Sequence, residues 1–384
     1  MILSDRVNSV EASGIRAMFN KARKYDNALY LCFGEPGFVT ADDISEVVAR
    51  ELSAGNTKYT PGQGIPELRE AVAEKLWRDN GIKADPDKNI MITAGSMEAL
   101  FMSLMALVNP GDEVITGAPG FPNYAQQIRM AGGIPVYAET YEEEAFRMTA
   151  AHIEKQITPK TKLIILNSPC NPTGSLLTKQ DYEDIAALIG KHKIMCIADE
   201  PYEKILFDGN KHYSLGSFPG MSDYCVTINS MSKTFAMTGY RVGYACAPEE
   251  LVKTFVKMQE PLVACVSGAM QKASVYALNK EEEYVRQMVE HYKKARDFIV
   301  PALNSLKGFS CLLPPATFYA FPNIKGTGKM SQQLADEILE ELRVVITPGT
   351  AFTGSGGEGY LRISFASDLS NIESALERMA KKFG

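Results

Sequence analysis

The sharpest chemical feature of the chain is one lysine set among hydroxyls. Ser230-Met-Ser-Lys-Thr-Phe-Ala-Met-Thr-Gly-Tyr-Arg-Val-Gly243 follows an apolar run that ends near Ile228. A lysine amine attacks aldehydes once burial or nearby cations destabilise its ammonium, and Arg241, eight residues after Lys233, is a candidate source of that charge. The two could also share one anionic ligand. The bland alternative is a loop lysine with a solvated head. Upstream, Ile197-Ala-Asp-Glu-Pro-Tyr202 carries Asp199 to the end of an apolar strand, with Tyr202 close behind. A carboxylate there is costly unless paired. Paired with a protonated ring nitrogen, it would keep that ring cationic and able to accept electrons, while the Tyr202 phenol could bond a ring oxygen. Alone, the pair also reads as a helix N-cap aspartate with a packed tyrosine.

Four further segments could complete such a site. Asn167-Ser-Pro-Cys-Asn-Pro-Thr-Gly174 is a proline-stiffened loop bearing Asn171, whose amide can donate to a phenolate oxygen, although Asn-Pro near Gly is commonly just a turn. In Ile92-Thr-Ala-Gly-Ser-Met97 a strand opens into a helix over Glu98–Val108, so the amides of Gly95, Ser96 and Met97 can cradle a phosphate. Phe121, in Pro119-Gly-Phe-Pro, and Tyr59, in Lys58-Tyr-Thr-Pro-Gly, suit stacking on a planar ring or ordinary core packing. Tyr360-Leu-Arg-Ile-Ser364 alternates like a strand and holds Arg362 between apolar neighbours, fit for bidentate capture of a carboxylate or simply exposed.

These residues need a scaffold, and its pattern is α/β. Short β-branched runs at Asn89–Thr93, Glu113–Thr116, Ile134–Tyr137, Lys162–Asn167, Lys193–Ala198, Cys225–Asn229 and Val242–Cys246 alternate with segments of helical period. That alternation predicts a mainly parallel sheet flanked by helices over 45–280, with ligands gathered beyond the strands' carboxyl ends. A smaller α+β unit over 281–384 opens with a long charged helix at Glu281–Leu306 and continues with strands at Phe318–Phe321 and Leu361–Phe365. Residues 1–44, with Ser13-Gly14-Ile15-Arg16 and Gly34-Glu35-Pro36-Gly37, read as an arm or lid contributing to that smaller unit.

Composition narrows the chemistry. The 384 residues carry 40 Lys+Arg against 46 Asp+Glu, a formal charge of −6, which favours neither nucleic acid nor a disordered acidic chain. No apolar stretch approaches the ~18–20 residues of a membrane helix, and the N-terminus lacks a secretory pattern, so a cytoplasmic location is expected. Seven scattered cysteines without a Cys-x-x-Cys pair, and four histidines, argue for reduced thiols and no metal centre.

Taken together the motifs resemble the pyridoxal-5′-phosphate (PLP) enzymes of fold type I, class I aminotransferases, in the branch of bacterial aspartate and aromatic aminotransferases. The resemblance runs through Ser13–Arg16, Gly34–Pro36, Lys58-Tyr-Thr-Pro, Gly64-Ile-Pro-Glu-Leu-Arg69, Asn171–Gly174, Asp199–Tyr202, Ser230–Gly243 and Arg362. It implies that Lys233 forms the internal aldimine and shuttles the substrate proton. It likewise implies that Asp199 pairs with the pyridine nitrogen, Asn171 and Tyr202 contact the ring hydroxyl oxygen, and Phe121 stacks on the ring. Ser96, Met97, Ser230 and Arg241 would hold the phosphate together with Tyr59 of a second copy, which makes the enzyme a homodimer. Arg362, Gly34, Asn171 and Ile15 would hold and cover the substrate. The implied reaction moves an amino group between an L-amino acid and a 2-oxo acid, with glutamate and 2-oxoglutarate as one pair. A PLP-dependent carbon–sulfur β-lyase on the same scaffold is the alternative. A transcriptional regulator built on this domain is disfavoured, because about forty residues before the large unit leave no room for a helix-turn-helix module. Departures from the usual pattern are Met97, Cys170, Phe121, Ala316 and Thr353. None removes a catalytic group, and no second arginine for a dicarboxylate is identifiable.

Overall fold

The computed structural model describes residues 3–354 and 356–384, apart from the side chains of 281–283; the first two residues of the arm lie outside it. After β1 (Leu29–Tyr30) come seven strands: β2 (Ile90–Thr93), β3 (Glu113–Ala118), β4 (Ile134–Glu139), β5 (Thr161–Asn167), β6 (Met195–Asp199), β7 (Cys225–Ser230) and β8 (Gly243–Cys246). They form one sheet in the order β2-β8-β7-β6-β5-β3-β4. Every strand expected from the sequence within 45–280 is present, shifted by one or two residues. Strands β7, β6, β5, β3 and β4 pair in parallel, whereas β8 runs antiparallel to both β2 and β7. The reversal has a local cause. A parallel return needs a crossover of a dozen or more residues, usually a full helix, but 231–242 holds only the turn Met231–Thr234 and a 3-10 turn, so the chain doubles back.

Alternation along the strands sends side chains to both faces. Met91, Ile165, Ile197 and Ile228 pack on one side with Leu100 and Leu104 of the helix Ser96–Leu107 and Phe255 of the helix Glu249–Val263. Ile115, Ile164, Leu166 and Ala198 pack on the other with Ile185 and Ile189 of the helix Lys179–His192. Burial on both faces explains why β5 reads as the unbroken apolar run Leu163–Leu166.

A separate core joins Met18, Leu31 and Cys32 to residues of the C-terminal segment, among them Tyr292, Phe318, Val345 and Ile372. Here β1 pairs in parallel with β10 (Val344–Val345), after β9 (Tyr319–Ala320) and before β11 (Thr347–Pro348) and β12 (Leu361–Ser364). The order β11-β12-β9 makes a second small sheet, flanked by the helices Glu281–Asn304 and Leu369–Phe383. No helix among the described residues is long and apolar enough to cross a membrane.

Candidate active site

Strands β5, β6 and β7 end side by side, with Asn167 in register with Asp199 and Asp199 with Ile228. Their carboxyl ends open on a cavity of about 270 Å3 that is also bounded by Gly34, by Tyr319 of β9 and by Arg362 of β12. Lys233 lies in the turn that follows β7. The Ser230 hydroxyl caps that turn by accepting from the Ser232 amide at 3.1 Å, which aims the lysine back over the strand ends. Its Nζ donates to the Gly34 carbonyl at 2.5 Å. Burial brings the amine down to about 8, aided by the charges of Arg362 and Arg241 and opposed by Glu35 and Asp199. Arg241 therefore acts as the sequence suggested, but desolvation leads.

Asp199 closes β6 and is 7% exposed. Its Oδ2 accepts from the Tyr124 hydroxyl at 2.6 Å, while its Oδ1 finds no partner among the described residues. Burial raises the carboxyl to about 6, against the pull of the Tyr124 hydrogen bond and the Lys233 charge. An N-cap role is excluded, since no helix starts there.

The anion-cradle residues converge at the start of Ser96–Leu107, two residues earlier than the expected helix. Gly95 has φ +79°, and a Cβ there would lie 2.4 Å from Nη2 of Arg241; a Cβ on Gly243 would lie 2.6 Å from the Ser96 nitrogen. Only glycines let the helix terminus and the guanidinium approach this closely. Ser96 and Met97 reach the cavity with Ser230 and Arg241, whereas Gly95 sits behind the arginine. Positive charge thus accumulates at one end of the cavity, where a helix N-terminus adds its own dipole.

Arg362 is on β12 and 1% exposed, so the exposed-arginine alternative falls. Its Nη1 donates to Asn171 Oδ1 at 3.1 Å and its Nη2 to the Cys32 carbonyl, while Nε has no partner. The guanidinium rests over the rings of Tyr319 at 4.6 Å and Phe352 at 5.0 Å. A buried cation with no carboxylate partner is a ready receptor for one. Tyr202 shares a 2.8 Å hydrogen bond with Tyr319, and Phe121 stands edge-on to Tyr124 with centroids 5.5 Å apart. Ile15, Phe121, Asn171 and Tyr202 all line the cavity.

One singled-out residue is elsewhere: Tyr59 is 88% exposed and does not line this cavity. Tyr124, Asn167, Thr238 and Tyr319 do line it and were given no role from sequence. For Tyr124 a signal existed, because Phe121 and Tyr124 are three apart at the start of the helix Pro122–Met130 and must share a face. All seven cysteines are free. Glu200, Glu203 and His212 bring donor atoms within 4.8 Å of one another, but Lys75 is already paired with Glu203 and supplies the cation.

Residues 26–379 match the family model of the class I and II aminotransferases. The chain is 42% identical to an aspartate aminotransferase of Pyrococcus abyssi and 42% identical to aromatic-amino-acid aminotransferase 2 of Thermococcus litoralis, in each case over 99% of this chain and 98% of the relative. The structure of Thermus thermophilus aspartate aminotransferase with maleate superposes with a TM-score of 0.94 at 35% identity, covering 99% of both chains. The chain belongs to the class I and II aminotransferases, fold type I enzymes that use PLP to move an amino group between an amino acid and a 2-oxo acid.

Proposed function

We propose that Lys233 carries the proton transfer of this aminotransferase, with Asp199 and Arg362 fixing the two ends of the reacting pair, and that its preferred donor has an apolar side chain. Bound in the cavity, PLP supplies a conjugated ring into which the electrons of the substrate Cα–H bond can spread. The residues fit such a group. Asp199 offers an unpartnered buried oxygen for a ring nitrogen, and the glycine-lined cradle at Ser96, Met97, Ser230 and Arg241 offers a seat for a dianionic phosphate. Asn171 and Tyr202 can orient a ring oxygen, and Phe121 can cover the ring face.

An amine brought down to about 8 holds enough free base near neutral pH to take the Cα proton and enough ammonium to return it. Arg362 receives the substrate carboxylate in a planar two-point contact, with Asn171 beside it and Ile15 and Gly34 over the opening. The single observation that carries this reading is the convergence of Lys233, Asp199 and Arg362 on one cavity. The substrate preference rests on the same lining: besides Lys233, its cations are Arg241 in the cradle and Arg362, while Ile15 and Met97 are apolar.

We further place the unit boundaries at 44/45 and 280/281, the working form as a homodimer in which Tyr59 reaches the neighbouring cradle, and the enzyme in the cytoplasm. Glutamate with 2-oxoglutarate is the expected second pair. Borohydride reduction of the holoenzyme followed by peptide mapping tests the central assignment, with the label expected on Lys233. A label elsewhere overturns it. A panel of donors against 2-oxoglutarate and pyruvate tests the rest. Leucine or phenylalanine should outrun aspartate, and steady ammonia release without an acceptor would replace transamination by elimination.

A further inference from the structure

Directly behind Asp199 lies a buried polar network that the reaction as derived does not use. Glu200, 1% exposed, accepts at Oε2 from the Ser214 hydroxyl at 2.6 Å and lies 3.1 Å from Nε2 of His212. Ser214 in turn accepts from Asn80 Nδ2 at 2.6 Å, and the same amide reaches Glu203 Oε2 at 2.6 Å. Lys75, 2% exposed, binds Asn80 Oδ1 at 2.8 Å and pairs with Glu203.

Lys75 pairs with Glu203, whereas Glu200 has no lysine or arginine partner: Oε2 faces the His212 imidazole and the Ser214 hydroxyl, and Oε1 has no partner among the described residues. Several groups face it. From β6, which ends just before it, come Asp199 and Cys196; Cys225 comes from β7, Cys246 from β8 and Tyr182 from the helix Lys179–His192, with His212 from the following loop. Burial is the first cause that holds Cys196, Cys225, Cys246 and Tyr182 in their neutral forms, and the Glu200 charge pushes each the same way. Of the groups whose positive charge acts on Glu203, Lys75 and Lys204 lie on its side, and His212 alone also touches Glu200.

Evolutionarily cheap alternatives exist for filling this space, since replacing a buried charge by a neutral group of like shape avoids its desolvation cost. A buried carboxylate with no lysine or arginine partner, next to a functional one, therefore calls for an electrostatic reason. We propose that Glu200 is a positioning residue for amino transfer: its network holds a fixed negative charge behind Asp199 and thereby strengthens Asp199's grip on a protonated ring nitrogen in the cavity. The inference rests on the reading of Asp199 given above.

The test pairs two readouts on the full-length chain: PLP affinity by equilibrium dialysis, and the titration midpoint of the Asp199 carboxyl in 13C NMR of the apoenzyme, identified by its loss in Asp199→Asn. Removing the charge in Glu200→Gln should lower that midpoint by about one pH unit and weaken PLP binding about tenfold. Glu200→Asp keeps the charge and should stay within about threefold of wild type in affinity, even where its melting temperature falls. An unchanged Asp199 midpoint in Glu200→Gln overturns the inference, as do equal shifts in the Gln and Asp variants, which would mark a purely structural role. Should Glu200→Gln not fold, His212→Gln removes no negative charge and must leave the midpoint at or above wild type; a fall of about half a unit overturns the inference. Unimpaired PLP binding in Asp199→Asn would instead remove the Asp199 reading on which the inference stands.

Discussion

At the level of single residues, the proposed chemistry rests on burial without full compensation. Lys233 is the plainest case. Desolvation disfavours its ammonium, Arg362 and Arg241 push the same way, and the amine titrates near 8 instead of 10.5. The free base is the form that attacks an aldehyde, so capture of pyridoxal by the apoenzyme, trapped with borohydride, should speed up as pH rises and level off above about 8. A rate still climbing through pH 10 would mean a solvated lysine. Arg362 obeys a different constraint. Its Nη1 and Nη2 are held by Asn171 and Cys32, and two aromatic rings fix the guanidinium plane, so a lysine there would keep the charge but lose the fork. Arg362→Lys should lower kcat/KM for amino acids by about 10- to 100-fold, mainly through KM. An unaltered KM would place the carboxylate seat elsewhere. Such residues were legible only through the company of their motifs, since each alone reads equally well as a solvated loop lysine, an N-cap aspartate or an exposed strand arginine. Tyr124 was legible only through its three-residue spacing from Phe121, because a tyrosine on an amphipathic helix is ordinarily core; its place on the cavity wall and its 2.6 Å bond to Asp199 separate it from Tyr182 or Tyr292.

At the level of elements, the strands were legible from apolar runs because the sheet is buried on both faces. Their ends shifted by a residue or two because hydrogen-bond pairing, not composition, sets where a strand stops. The direction of β8 was less accessible: the sequence shows a strand at 242–246, but its reversal depends on how far the chain travels after β7. The cradle depends on the same geometry. Strand β8 runs antiparallel to β2, which brings Gly243 into register with Thr93 and presses Arg241 against Gly95. Adding one methyl in Gly95→Ala puts a Cβ 2.4 Å from Nη2 of Arg241 at a backbone angle that L-residues rarely adopt. The guanidinium is the softer party and must move. PLP affinity should therefore fall at least about tenfold while the Lys233 chemistry at saturating PLP is largely kept. Loss of turnover at saturating cofactor with affinity intact would show that the glycine serves another purpose. The loop that carries Phe121 has its own tie: Thr353, a departure from the usual glycine, bonds the Gly117 carbonyl at 3.0 Å through its hydroxyl and the Gly120 carbonyl at 3.0 Å through its amide.

For the whole molecule the open question is where Tyr59 acts. Its motif belongs with the others, yet its ring is 88% exposed and does not line the cavity of its own chain. An exposed tyrosine at an otherwise ordered turn, with its neighbour Thr60 tied to Val266 and Gln271, is preorganised for a surface that a single copy lacks. If that surface is the phosphate end of a second copy, two defects placed in different chains must complement. Take one chain with Lys233→Ala and another with Tyr59→Ala, unfold and refold them together, and isolate the mixed dimer by two tags. Acting across the interface, the intact Tyr59 of the first chain serves the intact Lys233 of the second, so one site per dimer is wild type and the other carries both lesions. PLP affinity of the working site should then equal that of the native enzyme, with half its turnover per dimer. Acting within its own chain, Tyr59→Ala would instead burden the only lysine-bearing site, and the mixed dimer would show the weakened affinity of the Tyr59→Ala homodimer. The two outcomes differ in affinity alone, which makes them insensitive to how much protein refolds.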